Sequence, residues 1–164
     1  MSLLRLISLF RSASVTQAAV ARGKATLQTA EDSLRTAQAM AVEKDQLRAA
    51  KGERQAHYDL GERYYEGRGV RQDYAKAAES FQKAAMAGHP KAQTNLGMIY
   101  FLGRGISRDK AEGCKWLTVA AQQGDPEAKK ARIAAKERMT SEELLEGRRR
   151  AEVYHRDLIT KQLE

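Results

Sequence analysis

The stretch AHYDLGERYYEGRGVRQDYAKAAESFQKAAMAG, residues 56–88, decides how this chain folds. It returns 36 residues later as AQTNLGMIYFLGRGISRDKAEGCKWLTVAAQQG, residues 92–124. At that shift 13 of 36 positions are identical, among them Ala56/Ala92, Leu60/Leu96, Gly61/Gly97, Tyr64/Tyr100, Gly67/Gly103, Gly69/Gly105, Asp73/Asp109 and Gly88/Gly124. A recurring unit of this length is one supersecondary element that buries its apolar face only by stacking on its copies.

Each copy divides into two helices. Ala56, Leu60, Gly61 and Tyr64 share one face at helical spacing, and Gly67–Gly69 stops that helix. Ala77, Phe81, Ala84 and Ala85 form the buried face of the second, which Gly88 ends. Asp73 and Asp109 stand where a side chain accepts bonds from free helical N–H groups. Glu112, three residues after Asp109, predicts a capping box. Pro90 and Pro126 fall at first helical positions, where the missing N–H costs nothing.

The turn Gly67-Arg68-Gly69-Val70 taken alone has the look of a phosphate-binding loop. Such a loop follows a strand, carries a third glycine or a Lys-Ser/Thr pair, and aims its N–H groups at an anion. Here a helix precedes it, neither feature follows, and the turn recurs as Gly103-Arg104-Gly105-Ile106. It reads as a repeated turn, with Val70 and Ile106 plugging it into the core.

These residues resemble the Sel-one-like repeat family, relatives of the tetratricopeptide repeat. The shared pattern runs alanine, leucine-glycine, tyrosine, glycine-x-glycine-valine, aspartate, an alanine-rich helix and a closing glycine, and it covers residues 56–124. The family often carries a tryptophan in the second helix. Trp116 matches it, whereas Ser80 stands there in the first unit, which predicts looser packing or a neighbour at that point. The resemblance implies a protein-binding scaffold or adaptor. Cysteine-rich members linked to peptidoglycan chemistry rely on a disulfide in each repeat. Cys114 is the only cysteine here, so that activity is not carried over.

A third, partial unit starts at Asp125 and lacks the glycine signals. Beyond it, Thr140 and Glu143 form a capping box, and Leu144, Gly147, Ala151, Tyr154 and Leu158 follow a helical seam. That is a terminal helix closing the array, whose last stacking face is otherwise exposed.

Before the repeats, residues 14–55 read as one long helix. Val20, Leu27, Leu34 and Ala41 recur every seven residues, with Ala30 and Ala37 at the companion position. A coiled-coil dimer and packing on the protein's own solenoid both fit. The leading segment carries Leu3, Leu6, Ile7 and Phe10 beside Arg5 and Arg11. Its apolar run is shorter than the roughly 20 residues a membrane span needs. An apolar helix on the protein's own core, an amphipathic helix docked on a membrane surface or a partner, and a mitochondrial transit segment all agree with it.

The formal charge of +8 lies at the ends: residues 1–24 contribute +4, 25–55 zero, 56–128 +1 and 129–164 +3. The near-neutral repeats do not present the basic face of a nucleic-acid binder. The single cysteine leaves no intrachain disulfide and fits a reducing compartment. His57, His89 and His155 make no i,i+4 pair, and no catalytic, metal-ligating or cofactor constellation stands out. One contrast does point to binding: Glu62, Arg63 and Glu66 of the first unit become Met98, Ile99 and Leu102 in the second. An apolar patch of this kind needs a cover, supplied by the N-terminal helix, a second copy or another protein.

The sequence therefore predicts an all-α chain: an α/α superhelical solenoid with a long N-terminal helix and a C-terminal capping helix. Residues 1–24 form a basic amphipathic segment and 25–55 a coiled-coil or packing helix. Residues 56–138 form the solenoid (56–91, 92–127 and a partial 128–138), and 139–164 form the cap. The expected function is a non-enzymatic interaction scaffold or adaptor, alone or as a subunit of a larger assembly; a membrane-tethered adaptor and a hydrolase are the alternatives. Tyr58, Arg63, Tyr65, Asn95, Met98, Ile99 and Leu102 are the expected partner-binding residues, and Leu3, Leu6, Ile7 and Phe10 the expected membrane- or partner-docking residues. No cofactor is expected. The expected location is cytoplasmic or peripheral to a membrane, with a mitochondrial alternative.

Overall fold

The structure, a computed structural model, describes the backbone of residues 3–163 and the side chains of residue 17 and residues 19–160. The docking side chains expected at Leu3, Leu6, Ile7 and Phe10 lie outside the described ones. Among the described residues there are seven helices: α1 (Leu3–Ala50), α2 (Arg54–Glu66), α3 (Tyr74–Met86), α4 (Pro90–Leu102), α5 (Lys110–Gln122), α6 (Pro126–Lys136) and α7 (Ser141–Leu163). The chain divides into two compact units, Met1–Met40 and Ala41–Glu164.

The first unit is the leading part of α1. Its heptad residues Val20, Leu27 and Leu34 are 57, 66 and 59% exposed.

The second unit contains the tail of α1 and the repeats. Val42 and Ala49 of that tail pack with Ala56 and Leu60 of α2, and Val70 closes the cluster. Buried Asp45 accepts from Arg63 at 2.8 Å, tying the tail to α2. The repeat helices begin two residues ahead of Ala56 and Ala92, at Arg54 and Pro90. Glu53 ahead of α2 makes no side-chain cap, whereas α3, α4 and α6 each start on one. Asp73 accepts from the N–H groups of Ala75 and Lys76, and Asp125 from those of Glu127 and Ala128. His89 accepts the Ala92 N–H through Nδ1 at 3.2 Å, a cap supplied by imidazole.

Asp109 accepts the Glu112 N–H, but the reciprocal half of the expected capping box is missing. The Glu112 carboxylate turns instead to Lys115 and Arg150, and the Asp109 N–H donates to the Tyr100 carbonyl. Two cations compete better for a carboxylate than one backbone N–H does. The box at Thr140 is complete: its N–H donates to Glu143 at 2.8 Å, and its hydroxyl accepts the Glu143 N–H at 3.1 Å.

The repeated leucine-glycine pair is a packing device. A Cβ on Gly61 would stand 2.5 Å from the Phe81 ring, and one on Gly97 would stand 2.9 Å from Leu117. The missing side chain lets α2 settle on α3, and α4 on α5. Around these contacts Phe81, Leu96, Ile99 and Trp116 form a continuous core through both repeats. Each such side chain contributes about 1.5–3 kcal/mol on burial. Phe101, Leu117 and Ala135 extend the packing to α6.

The glycine turns also join the repeats. Gly67 and Gly103 end their helices at φ 76° and 71°, and their N–H groups close on the carbonyls of Arg63 and Ile99. Gly105 adds a steric demand, because a Cβ there would lie 2.6 Å from the Ala75 nitrogen. The second turn thus rests on the start of α3, and Ile106 packs against the core beside it.

α7 closes the array on α5. Gly147 and Ala151 are buried against it, and the Tyr154 ring meets Trp116 edge-on at 5.2 Å. Arg150 reaches Asp109 at 2.8 Å and Glu112 at 3.3 Å, while Glu146 of its own helix accepts at 2.8 Å. Burial pushes the Asp109 carboxyl up, but the Glu112 N–H and the Arg150 guanidinium outweigh it and leave it below the usual range.

Candidate functional site

Four of the seven expected partner-binding residues come together. Tyr65 of α2 and Asn95, Met98 and Leu102 of α4 line a groove of about 360 Å³. Phe81 forms part of its wall, and Glu62, Glu66 and Arg104 complete the lining. Met98 and Leu102 are 36% and 43% exposed, so an apolar strip lies open at the floor. The helical spacing of 98 and 102 puts both on one face of α4.

The other three lie elsewhere, for physical reasons. Ile99 is 1% exposed and belongs to the core. Its counterpart Arg63 meets Asp45 of the α1 tail. Positions 63 and 99 thus face whatever precedes their repeat, an acidic side chain in one case and an apolar core in the other. The change from arginine to isoleucine marks stacking, not a partner surface. Tyr58 is also buried. Its ring stacks on His89 at 4.4 Å and its hydroxyl donates to Glu62 at 2.6 Å. Burial and then the Glu62 carboxylate raise that phenol well above its usual pKa.

Sequence reasoning missed Arg104 as a site residue. Its guanidinium donates to the Tyr65 hydroxyl and lies 5.7 and 5.8 Å from the Tyr65 and Tyr74 ring centroids. The repeated arginines play different parts. Arg68 pairs with Glu66 and with Glu62, at 3.6 Å from the latter, so those carboxylates face a cation already. Arg104 makes no carboxylate pair among the described ion pairs. Only its place in a turn that recurs could have drawn attention to it.

A second groove, of about 450 Å³, opens where Ser80 replaces the tryptophan. Gln46, Ala49 and Ala50 of the α1 tail line it with Leu60, Tyr64 and Ser80. Lys76, Glu79 and Lys83 form its charged side. The groove lies where looser packing or a neighbour is expected, and the α1 tail is beside it. In the second repeat Trp116 is 4% exposed and covered by Tyr154.

The remaining chemistry-bearing side chains have structural surroundings. Cys114 is buried under α7, and burial pushes its thiol up, away from the thiolate. His89 caps α4, with burial and then Arg54 holding its imidazole below the usual pKa. Burial and Lys83 do the same to His57. His155 bonds Gln122. No described helix is long and apolar enough to cross a membrane.

The family model described as Sel1 repeat matches residues 54–89 and 90–125, the two helix pairs that flank the first groove. No curated protein matches the chain. Among solved structures, the chain is similar to a protective antigen of uropathogenic Escherichia coli strains that displays an SLR fold. That similarity is 32% identity at a TM-score of 0.69, over 71% of this chain and 25% of the antigen. The chain therefore spans a quarter of the antigen's length. It is also similar to a Sel1 repeat protein from Oxalobacter formigenes, with 35% identity at a TM-score of 0.56 over 57% of this chain and 71% of that one.

Proposed function

The chain belongs to the Sel1 repeat family, and on that premise we propose that it is a non-enzymatic scaffold that holds a peptide segment of a partner protein in the groove on α4. Proteins of this family generally serve as protein-interaction scaffolds. The observation that carries the reading is the open strip of Met98 and Leu102, bordered by a guanidinium with no carboxylate partner among the described ion pairs.

The groove's chemistry defines the ligand. Met98 and Leu102 accept an apolar side chain, and the flexible thioether adapts to its shape. Arg104, braced on two tyrosine rings, presents its planar fork to a carboxylate. The Asn95 amide, at the groove wall, offers both a donor and an acceptor to a peptide backbone. The partner segment therefore places an apolar residue close to an aspartate or glutamate.

Selection from a random peptide display library on the purified full chain tests this. The expected result is enrichment of peptides with neighbouring apolar and acidic residues. Binding is lost in Met98→Asp with Leu102→Asp, and falls about tenfold in Arg104→Ala, the scale of one charge-assisted bond. Enriched peptides that bind these folded variants as tightly as the parent overturn the proposal, as does a library that yields no enrichment.

A further inference from the structure

The heptad face of α1 ahead of Ala41 is uncovered, and its pattern is complementary to itself in one orientation. Val20, Leu27 and Leu34 stand seven residues apart and are all more than half exposed. Three residues beyond each comes Gly23, Ala30 or Ala37, also exposed. A Cβ built on Gly23 meets nothing within 4 Å. Across residues 20–37 large residues thus hold the first core position of each heptad, and small residues the second.

That division decides the orientation of a second helix. In a parallel pair like faces like: Leu27 meets Leu27, and Ala30 meets Ala30, so layers of two large side chains alternate with layers of two small ones. In an antiparallel pair the first core position faces the second. Residues whose numbers sum to 57 then oppose each other: Val20 with Ala37, Leu27 with Ala30, Leu34 with Gly23. Every layer holds one large and one small residue, which keeps packing even along the seam.

The flanking charges agree with this arrangement. Lys24 and Glu31 both occupy the position just after the second core site. In the antiparallel register they lie opposite each other, and the twofold axis makes the pair twice. In the parallel register they face Ala19 and Thr26, which carry no charge. Neither side chain takes part in a described ion pair.

We propose that this face binds a second copy of the chain, forming an antiparallel two-helix coiled coil through residues 20–37 whose dyad passes between Gln28 and Thr29. The contact is independent of the groove on α4, so a dimer would present two such grooves.

The mass of the full chain in solution tests this by sedimentation equilibrium. A species of twice 18.3 kDa is expected, with Leu27→Asp giving a single chain whose repeat helices melt as before. Lys24→Glu and Glu31→Lys should each weaken the dimer about tenfold, because each sets two like charges face to face. The combined Lys24→Glu, Glu31→Lys exchange should restore it. A chain that stays single at about 100 µM, where even weak pairs associate, overturns the proposal. So does a dimer unaffected by Leu27→Asp. A dimer lost in Leu27→Asp but indifferent to both charge reversals overturns the antiparallel register.

Discussion

Gly147 of α7 lies so close to Cys114 of α5 that a Cβ on the glycine would stand 2.7 Å from the cysteine Cβ. Around this close approach the cap also docks through Tyr154 against Trp116 and through Arg150 on Asp109 and Glu112. Gly147→Val fills space that does not exist and should cost about 1–3 kcal/mol, the usual range for overpacking. Trp116 is the only tryptophan, so its emission reports the change. A lower melting temperature with a red-shifted emission is expected. Unchanged values for both would show that α7 closes the array by other contacts.

The acidic groups beneath and along α7 make its docking sensitive to acid. Hydrogen bonds from Arg149 and then Arg150 hold the Glu146 carboxyl at about 2, against a usual 4.5. Asp109 is also lowered, where its bonds from the Glu112 N–H and Arg150 outweigh burial. A folded-state value below the unfolded one gives stability that is fully present above the unfolded pKa. It is lost as pH falls through the folded value. Cap stability should therefore be level above about pH 5 and decline from there towards pH 2. In Arg150→Ala the decline should be shallower, with lower stability at neutral pH. Urea melts across that range measure both, and parallel curves for the two proteins would refute the assignment.

Ser80 leaves open the groove whose counterpart in the second repeat Trp116 occupies. Ser80→Trp should pack between Tyr64 and the α1 tail, raising stability by about 1 kcal/mol. That corresponds to roughly 2–4 °C in melting temperature for a chain of this size. Thermal denaturation decides it. A lower melting temperature would mean that the groove does not accept an indole.

Two glycines with similar backbone angles separate strain from steric contact. Gly88 and Gly105 have φ of 80° and 71°. Nothing lies within 4 Å of a Cβ on Gly88, whereas on Gly105 it meets the backbone of Tyr74 and Ala75 at 2.6 Å. Gly88→Ala should cost about 1–2 kcal/mol for the left-handed angle alone. Gly105→Ala should cost that plus about 1–3 kcal/mol for displacing α3. Equal melting temperatures for the two variants would refute the inter-repeat contact.

The parts of this protein that its sequence by itself determined are local. Apolar spacing, the capping aspartates and the proline at N1 each act within a turn or two of chain, and the 36-residue recurrence repeats them. The repeat helices followed from them, as did the closing helix announced by Thr140 and Glu143, but α1 stops at Ala50 and Gly52 turns the chain at φ 80°, inside the stretch read as one helix over 14–55. Tertiary structure alone decided which of two adjacent apolar side chains meets another helix. Ile99 and Met98 are neighbours of similar apolarity, yet one is core and the other surface, because α4 turns position 99 toward the preceding repeat. Glu112 had the spacing of a capping box but answers to Arg150, 38 residues away. Arg104 reaches Tyr65 across 39 residues. Local periodicity fixes the angle between residues on one helix, but not the angle at which that helix faces its neighbours. That second angle comes from close packing at Gly61, Gly97, Gly105 and Gly147, and it is what makes Met98 and Leu102 the floor of a groove.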